Sequence, residues 1–172
     1  MAILHVLADN HPTLRLIAKP IDEITPAIEK LASDMIETLA SASGVGLAAP
    51  QVGKSLRLIV IGNHLEPKDA DPPPFPLYVI LNPVVAPIGD DREEDTEGCL
   101  SVPGWYGPVT RYCTVRLTGR TIAGKPFNKI FRGFPARVAQ HEVDHLNGIL
   151  FTDYIDDPTL LRYLPREQED YE

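Results

Sequence analysis

The chain has 172 residues, 44% hydrophobic and 23% charged, enough apolar material to enclose a rigid site within what we expect to be a single domain over residues 1–172. Its formal net charge of -8 argues against DNA or an anionic membrane surface as partner and favours a small, peptidic or neutral ligand. Two cysteines, Cys99 and Cys113, give no disulfide framework; with no leader pattern at the amino terminus and no long apolar run, a reducing, cytoplasmic setting is expected.

In chain order, Ile28, Leu31, Ala32, Met35, Ile36 and Leu39 recur at helical spacing behind Thr25 and Pro26, which predicts an amphipathic helix from Thr25 to Ser41 capped by the threonine. It runs into Gly44-Val45-Gly46-Leu47-Ala48-Ala49-Pro50-Gln51, read as a loop whose glycines allow close backbone approach, and then into a buried strand over Leu56 to Ile61. Five prolines among residues 64–76 predict a surface loop. Strands are expected at Tyr78 to Leu81 and Cys113 to Leu117, with a turn at Gly124-Lys125-Pro126 leading into Phe127 to Phe131. A second helix should begin near Pro135 and end at Asn147-Gly148. The class is α+β: mixed or antiparallel strands around a central helix, plus the N-terminal amphipathic helix.

The second helix carries Gln140-His141-Glu142-Val143-Asp144-His145. Residues four apart share a helix face, so His141 and His145 can address one metal ion while Glu142 acts on a water beside it, the HExxH arrangement of hydrolytic sites. A third ligand is needed. Downstream, the metzincin position is occupied by Phe151, which cannot ligate, and Glu167 belongs to an acidic tail. Upstream, Cys99 in Glu97-Gly98-Cys99-Leu100-Ser101 offers a thiolate, with Gly98 read as permitting a tight loop. Glu97, Arg111 and Asp144 are candidates to orient the histidines, and Gln51 could cap its own turn.

GVGLAAPQ at 44–51, EGCLS at 97–101 and QHEVDH at 140–145 together resemble, in order and spacing, the three signature motifs of peptide deformylases. The resemblance extends to His11-Pro12-Thr13-Leu14-Arg15 and to Asn147-Gly148-Ile149-Leu150-Phe151. It implies a hydrolase that removes the formyl group from the N-terminal formylmethionine of nascent polypeptides and releases formate. It implies further that Cys99, His141 and His145 bind one divalent ion, Fe(II) with nickel, cobalt or zinc as replacements. Glu142 would be the base, the Gln51 amide and the Leu100 N–H would stabilise the oxyanion, and Val45 and Gly46 would receive the substrate.

Two departures stand out. Seven residues after Cys99, where relatives commonly carry arginine, this chain has Tyr106. The segment 155–172 is acidic, whereas in some relatives it is a basic ribosome-docking helix, so ribosome contact is expected to be transient at most. An HExxH endopeptidase with another third ligand, and a silent peptide- or metal-binding relative, are the competing expectations.

Overall fold

A computed structural model describes residues 2–63 and 67–165. The expected α+β class is what it shows. Helix α1 spans Pro26–Ser41, where the Thr25 side chain accepts a hydrogen bond from the Ile28 N–H and Pro26 occupies the first turn. Strands β1 (Gly46–Ala48), β2 (Leu58–Ile61), β3 (Tyr78–Pro87), β4 (Arg92–Cys99), β5 (Val102–Tyr112), β6 (Thr114–Arg120) and β7 (Pro126–Arg132) precede helix α2 (Phe134–Leu146), and a two-residue strand, β8 (Arg162–Tyr163), follows it. All pairings between these strands are antiparallel, in one sheet ordered β1-β2-β3-β6-β7 and a second ordered β4-β5-β8.

Strand β2 shows how the first sheet is seated. Ile59 and Ile61 pack in a cluster with Val138, Ala139, Val143 and Leu146 of α2, while Leu58 and Val60 join Leu31, Met35 and Leu39 of α1 on the opposite face. Successive residues of a strand point to opposite faces, so a strand covered on both sides reads as an unbroken apolar run. The second sheet joins α2 through the hydrogen bonds Arg137 donates to the carbonyls of Val109 on β5 and Glu93 on β4.

Three expectations are corrected. The segment read as a loop at 44–51 contains β1, because Leu47 and Ala48 are fully buried and the backbone pairs with β2; the Ala49–Val52 helical turn then carries Gln51. Strands β4 and β5 were not expected, since REEDTEGC is largely charged and β5 contains Pro103 and Pro108. Gly98 lies within β4 rather than in a loop: a Cβ there would meet the Tyr106 ring at 2.5 Å, so the glycine makes room for an aromatic and the turn falls at Leu100 and Ser101. Helix α2 ends as expected, with Gly148 at φ +73 pressed against the Arg15 carbonyl. Residues 67–76 form no helix or strand, and Glu167 lies outside the described residues. Among the described residues, no helix is long and apolar enough to cross a membrane.

Candidate active site

Two elements bring the ligand-capable atoms together. Helix α2 supplies His141 and His145 from one face, their ring centroids 5.0 Å apart, and Cys99 closes β4 against them. One ligand atom from each of these three residues lies within 4.8 Å of the other two, and the Cys99 Sγ is 3.4 Å from the His145 Nε2. The His141 Nδ1 faces the Glu97 Oε2 at 2.9 Å, which leaves Nε2 for the site. His145 is 1% exposed, and its Nδ1 has no hydrogen-bond partner among the described residues. Burial holds its imidazole in the neutral form that a ligand requires.

Glu97 is the hub behind His141. Arg111 donates to it twice, Nε to Oε1 at 2.8 Å and Nη2 to Oε2 at 3.0 Å, and Arg137 adds an Nη1 bond to Oε1 at 2.9 Å. Burial alone would raise the Glu97 carboxyl, but hydrogen bonds and charge from Arg111 and His141 outweigh it and hold the group down at about 2. The remaining arm of Arg111 reaches the Asp144 Oδ2 at 2.5 Å, which also accepts from the Tyr154 hydroxyl at 2.8 Å. Glu97 thus fixes His141 directly, and Arg111 fixes Glu97. Asp144 acts through Arg111 and, among the described residues, makes no side-chain hydrogen bond to either histidine ring.

Glu142 is 4% exposed, and burial pushes its carboxyl up to about 7. Its Oε2 has no hydrogen-bond partner among the described residues. A Cβ on Gly46 would overlap this carboxylate, so β1 approaches α2 only because residue 46 has no side chain. Gln51 does two things at once. Its Oε1 accepts the Ala48 N–H at 2.8 Å, which caps the local turn, and this orients its Nε2 toward the Ser101 Oγ at 3.2 Å and the Cys99 Sγ at 3.5 Å. The cleft above these residues encloses about 280 Å³ and is bounded by Val45, Gly46, Leu100 and Tyr106. A smaller pocket of about 120 Å³, lined by Val45, Phe134 and Val138, opens beyond Glu142.

Residues 3–160 match the family model described as polypeptide deformylase. The chain belongs to the polypeptide deformylase family. A peptide deformylase of Nitrosomonas europaea is 44% identical over 153 residues, which is 88% of this chain and 87% of that protein. Among solved structures, a peptide deformylase from Legionella pneumophila aligns with a TM-score of 0.81 at 40% identity, covering 92% of this chain and 88% of that one. A class I type b peptide deformylase from Acinetobacter baumannii, bound to Met-Ala-Ser, aligns with a TM-score of 0.83 at 38% identity over 90% of this chain and 99% of that one.

Deformylases are hydrolases that remove the formyl group from an N-terminal formylmethionine and use a divalent metal, so the endopeptidase and silent-relative expectations are set aside. The Cys99, His141 and His145 cluster is the possible metal site among the described residues of this deformylase. The structure brings Glu142, Gln51, Leu100, Val45 and Gly46 to the same cleft. Sequence reasoning missed Arg137 and Ser101. Arg137 had one signal, its place a helical turn before His141. Ser101 had none beyond its place in the EGCLS segment.

Proposed function

We propose that this deformylase works on nascent and other formylmethionyl peptides through the cleft between β1, the end of β4 and α2, with Cys99, His141 and His145 holding one divalent ion. The observation that carries this reading is the convergence of those three ligand atoms within 4.8 Å, beside a buried carboxylate. The donor set fits such an ion. One thiolate and two imidazoles suit a transition metal, Fe(II) in the reading we favour with nickel, cobalt or zinc able to substitute, and three protein ligands leave a coordination position open. When bound, the ion supplies Lewis acidity, polarising a carbonyl and lowering the pKa of water toward neutrality.

The protein's own groups do the rest. Glu142, buried beside the ligand atoms with its Oε2 unpartnered among the described residues, takes the proton from the attacking water and delivers it to the departing amine as formate forms. The Gln51 Nε2, turned toward the site by the bond its Oε1 accepts, and the Leu100 N–H stabilise the oxyanion that develops on the formyl carbonyl. Val45 and Gly46 receive the methionine side chain and the substrate backbone. Helix α2 is the central element in this reading, α1 the N-terminal amphipathic one, and the whole chain acts as one domain with an acidic tail. The net charge of -8 supports an enzyme with no DNA or membrane partner and only transient ribosome contact, and two cysteines without a disulfide suit the cytoplasmic setting we assign it.

The test is formate release from formyl-Met-Ala-Ser by metal-loaded protein, beside the acetylated peptide and the Glu142→Ala variant. We expect release from the formylated peptide alone, lost in the variant while its metal content is kept. A metal-replete variant that still turns over would remove Glu142 from the base role.

A further inference from the structure

A second, larger cavity of about 540 Å³ lies on the far side of Tyr106, which lines both it and the active-site cleft. The register explains the shared wall. Thr96 pairs with Pro108, Gly98 with Tyr106 and Tyr106 with Arg162, and directly opposed residues of an antiparallel pair share a face. Gly98 admits the Tyr106 ring against the sheet, and Thr96, Pro108 and Arg162 continue the same face. Its volume falls within the range of ligand sites. The border is apolar where solvent would favour polar residues, since Leu160 and Leu164 stand 49% and 60% exposed.

We propose that this groove is a distal subsite for the substrate itself, taking apolar side chains that follow the third residue of the formylated peptide, with Leu160, Leu164 and the Tyr106 ring as its contacts. The inference rests on the proposed function above. Adjacency selects the occupant: a chain whose formyl end sits in the cleft has to leave it, and Tyr106, which lines both the cleft and this groove, places the groove next along that exit. Glu94 and Arg162, which also line the groove, offer hydrogen-bonding partners to a peptide backbone and carry opposite charge, which disfavours a uniformly charged ligand. Tyr106 is the residue the two cavities share.

The experiment compares kcat and KM for three peptides, formyl-Met-Ala-Ser, formyl-Met-Ala-Ser-Leu-Leu and formyl-Met-Ala-Ser-Ser-Ser, on the metal-loaded protein and on its Leu160→Ser/Leu164→Ser double variant. Neither leucine lines the catalytic cleft. We expect the leucine-extended peptide to show a KM about 5-fold below that of the tripeptide, a gain the serine-extended peptide lacks and the double variant loses. The variant should process the tripeptide as the parent does. Equal KM values for the three peptides, or a gain that survives in the double variant, would overturn the subsite and leave the deformylase reading intact. Formate released from none of them would overturn that reading and the subsite with it.

Discussion

Gly46 and Glu142 divide one small volume between them. Because a Cβ at residue 46 would overlap the carboxylate, Gly46→Ala has to push Glu142 aside while leaving the surrounding core packed. If Glu142 carries the proton as proposed, displacing it by about 1 Å costs roughly 100-fold in turnover, so formate release should fall by that order while the thermal midpoint and metal content hold. A variant at parental rate would show that Glu142 tolerates displacement. Glu142 also makes a pH prediction for metal-free protein. Its carboxyl is raised from 4.5 to about 7 by burial, so its contribution to stability is fully present below pH 4.5 and is lost as pH rises through 7. Glu142→Gln lacks that dependence. Urea unfolding at pH 5 and pH 8 should therefore show the metal-free parent losing about 3 kcal/mol relative to the variant; parallel stabilities would remove the burial argument.

The hairpin of β4 and β5 exists to carry one buried carboxylate to a histidine. Glu97 stands on β4, Arg111 faces it from β5, and Arg137 reaches it from α2. Arg111→Met would leave Glu97 with one guanidinium fewer and cut the link to Asp144, and breaking a buried pair costs about 3 kcal/mol. Arg111→Lys should recover little, because an ammonium cannot make the paired bonds of a guanidinium. Chemical denaturation of both variants decides this, and a lysine variant as stable as the parent would show that charge alone suffices. Glu97 itself stays ionised down to about 2, so its share of the stability is present above pH 4.5 and is lost only as the pH falls from there toward 2. This hairpin was the part of the fold least legible in the sequence. Helices α1 and α2 announce themselves through caps and apolar spacing, but Arg92 to Asp95 look like a solvated run, and although Glu97 and Arg111 were candidates to orient the histidines, nothing local says that they pair across 14 positions or that Arg137 joins them from 40 away. The same distance hid Arg137, whereas His141, Glu142 and His145 were legible because their geometry is local to one helix. Cys99 was legible only through the combined pattern of three segments, since nothing in its neighbours says that β4 ends against α2.

At the scale of the whole molecule, an ion at the proposed site would tie the two sheets together. Cys99 ends a strand of the three-stranded sheet, while His141 and His145 belong to the helix packed on the five-stranded one, so an ion held by all three cross-links elements that otherwise meet through side-chain contacts. An ion bound by the folded state and not by the unfolded chain adds RT ln(1 + [L]/Kd), about 2.7 kcal/mol at a hundred times Kd. For a chain of this size each kcal/mol moves the midpoint by roughly 2–4 °C, so stripping the ion with a chelator should lower the thermal midpoint by about 5–10 °C, and adding nickel should restore it. Cys99→Ser isolates the contribution of the thiolate. Its midpoint should lie near that of the stripped parent and respond weakly to nickel, because a hydroxyl is a poor substitute for a soft sulfur ligand. A serine variant that regains the full nickel-dependent shift would mean that the two histidines hold the ion unaided, and the link between the sheets would then not run through Cys99.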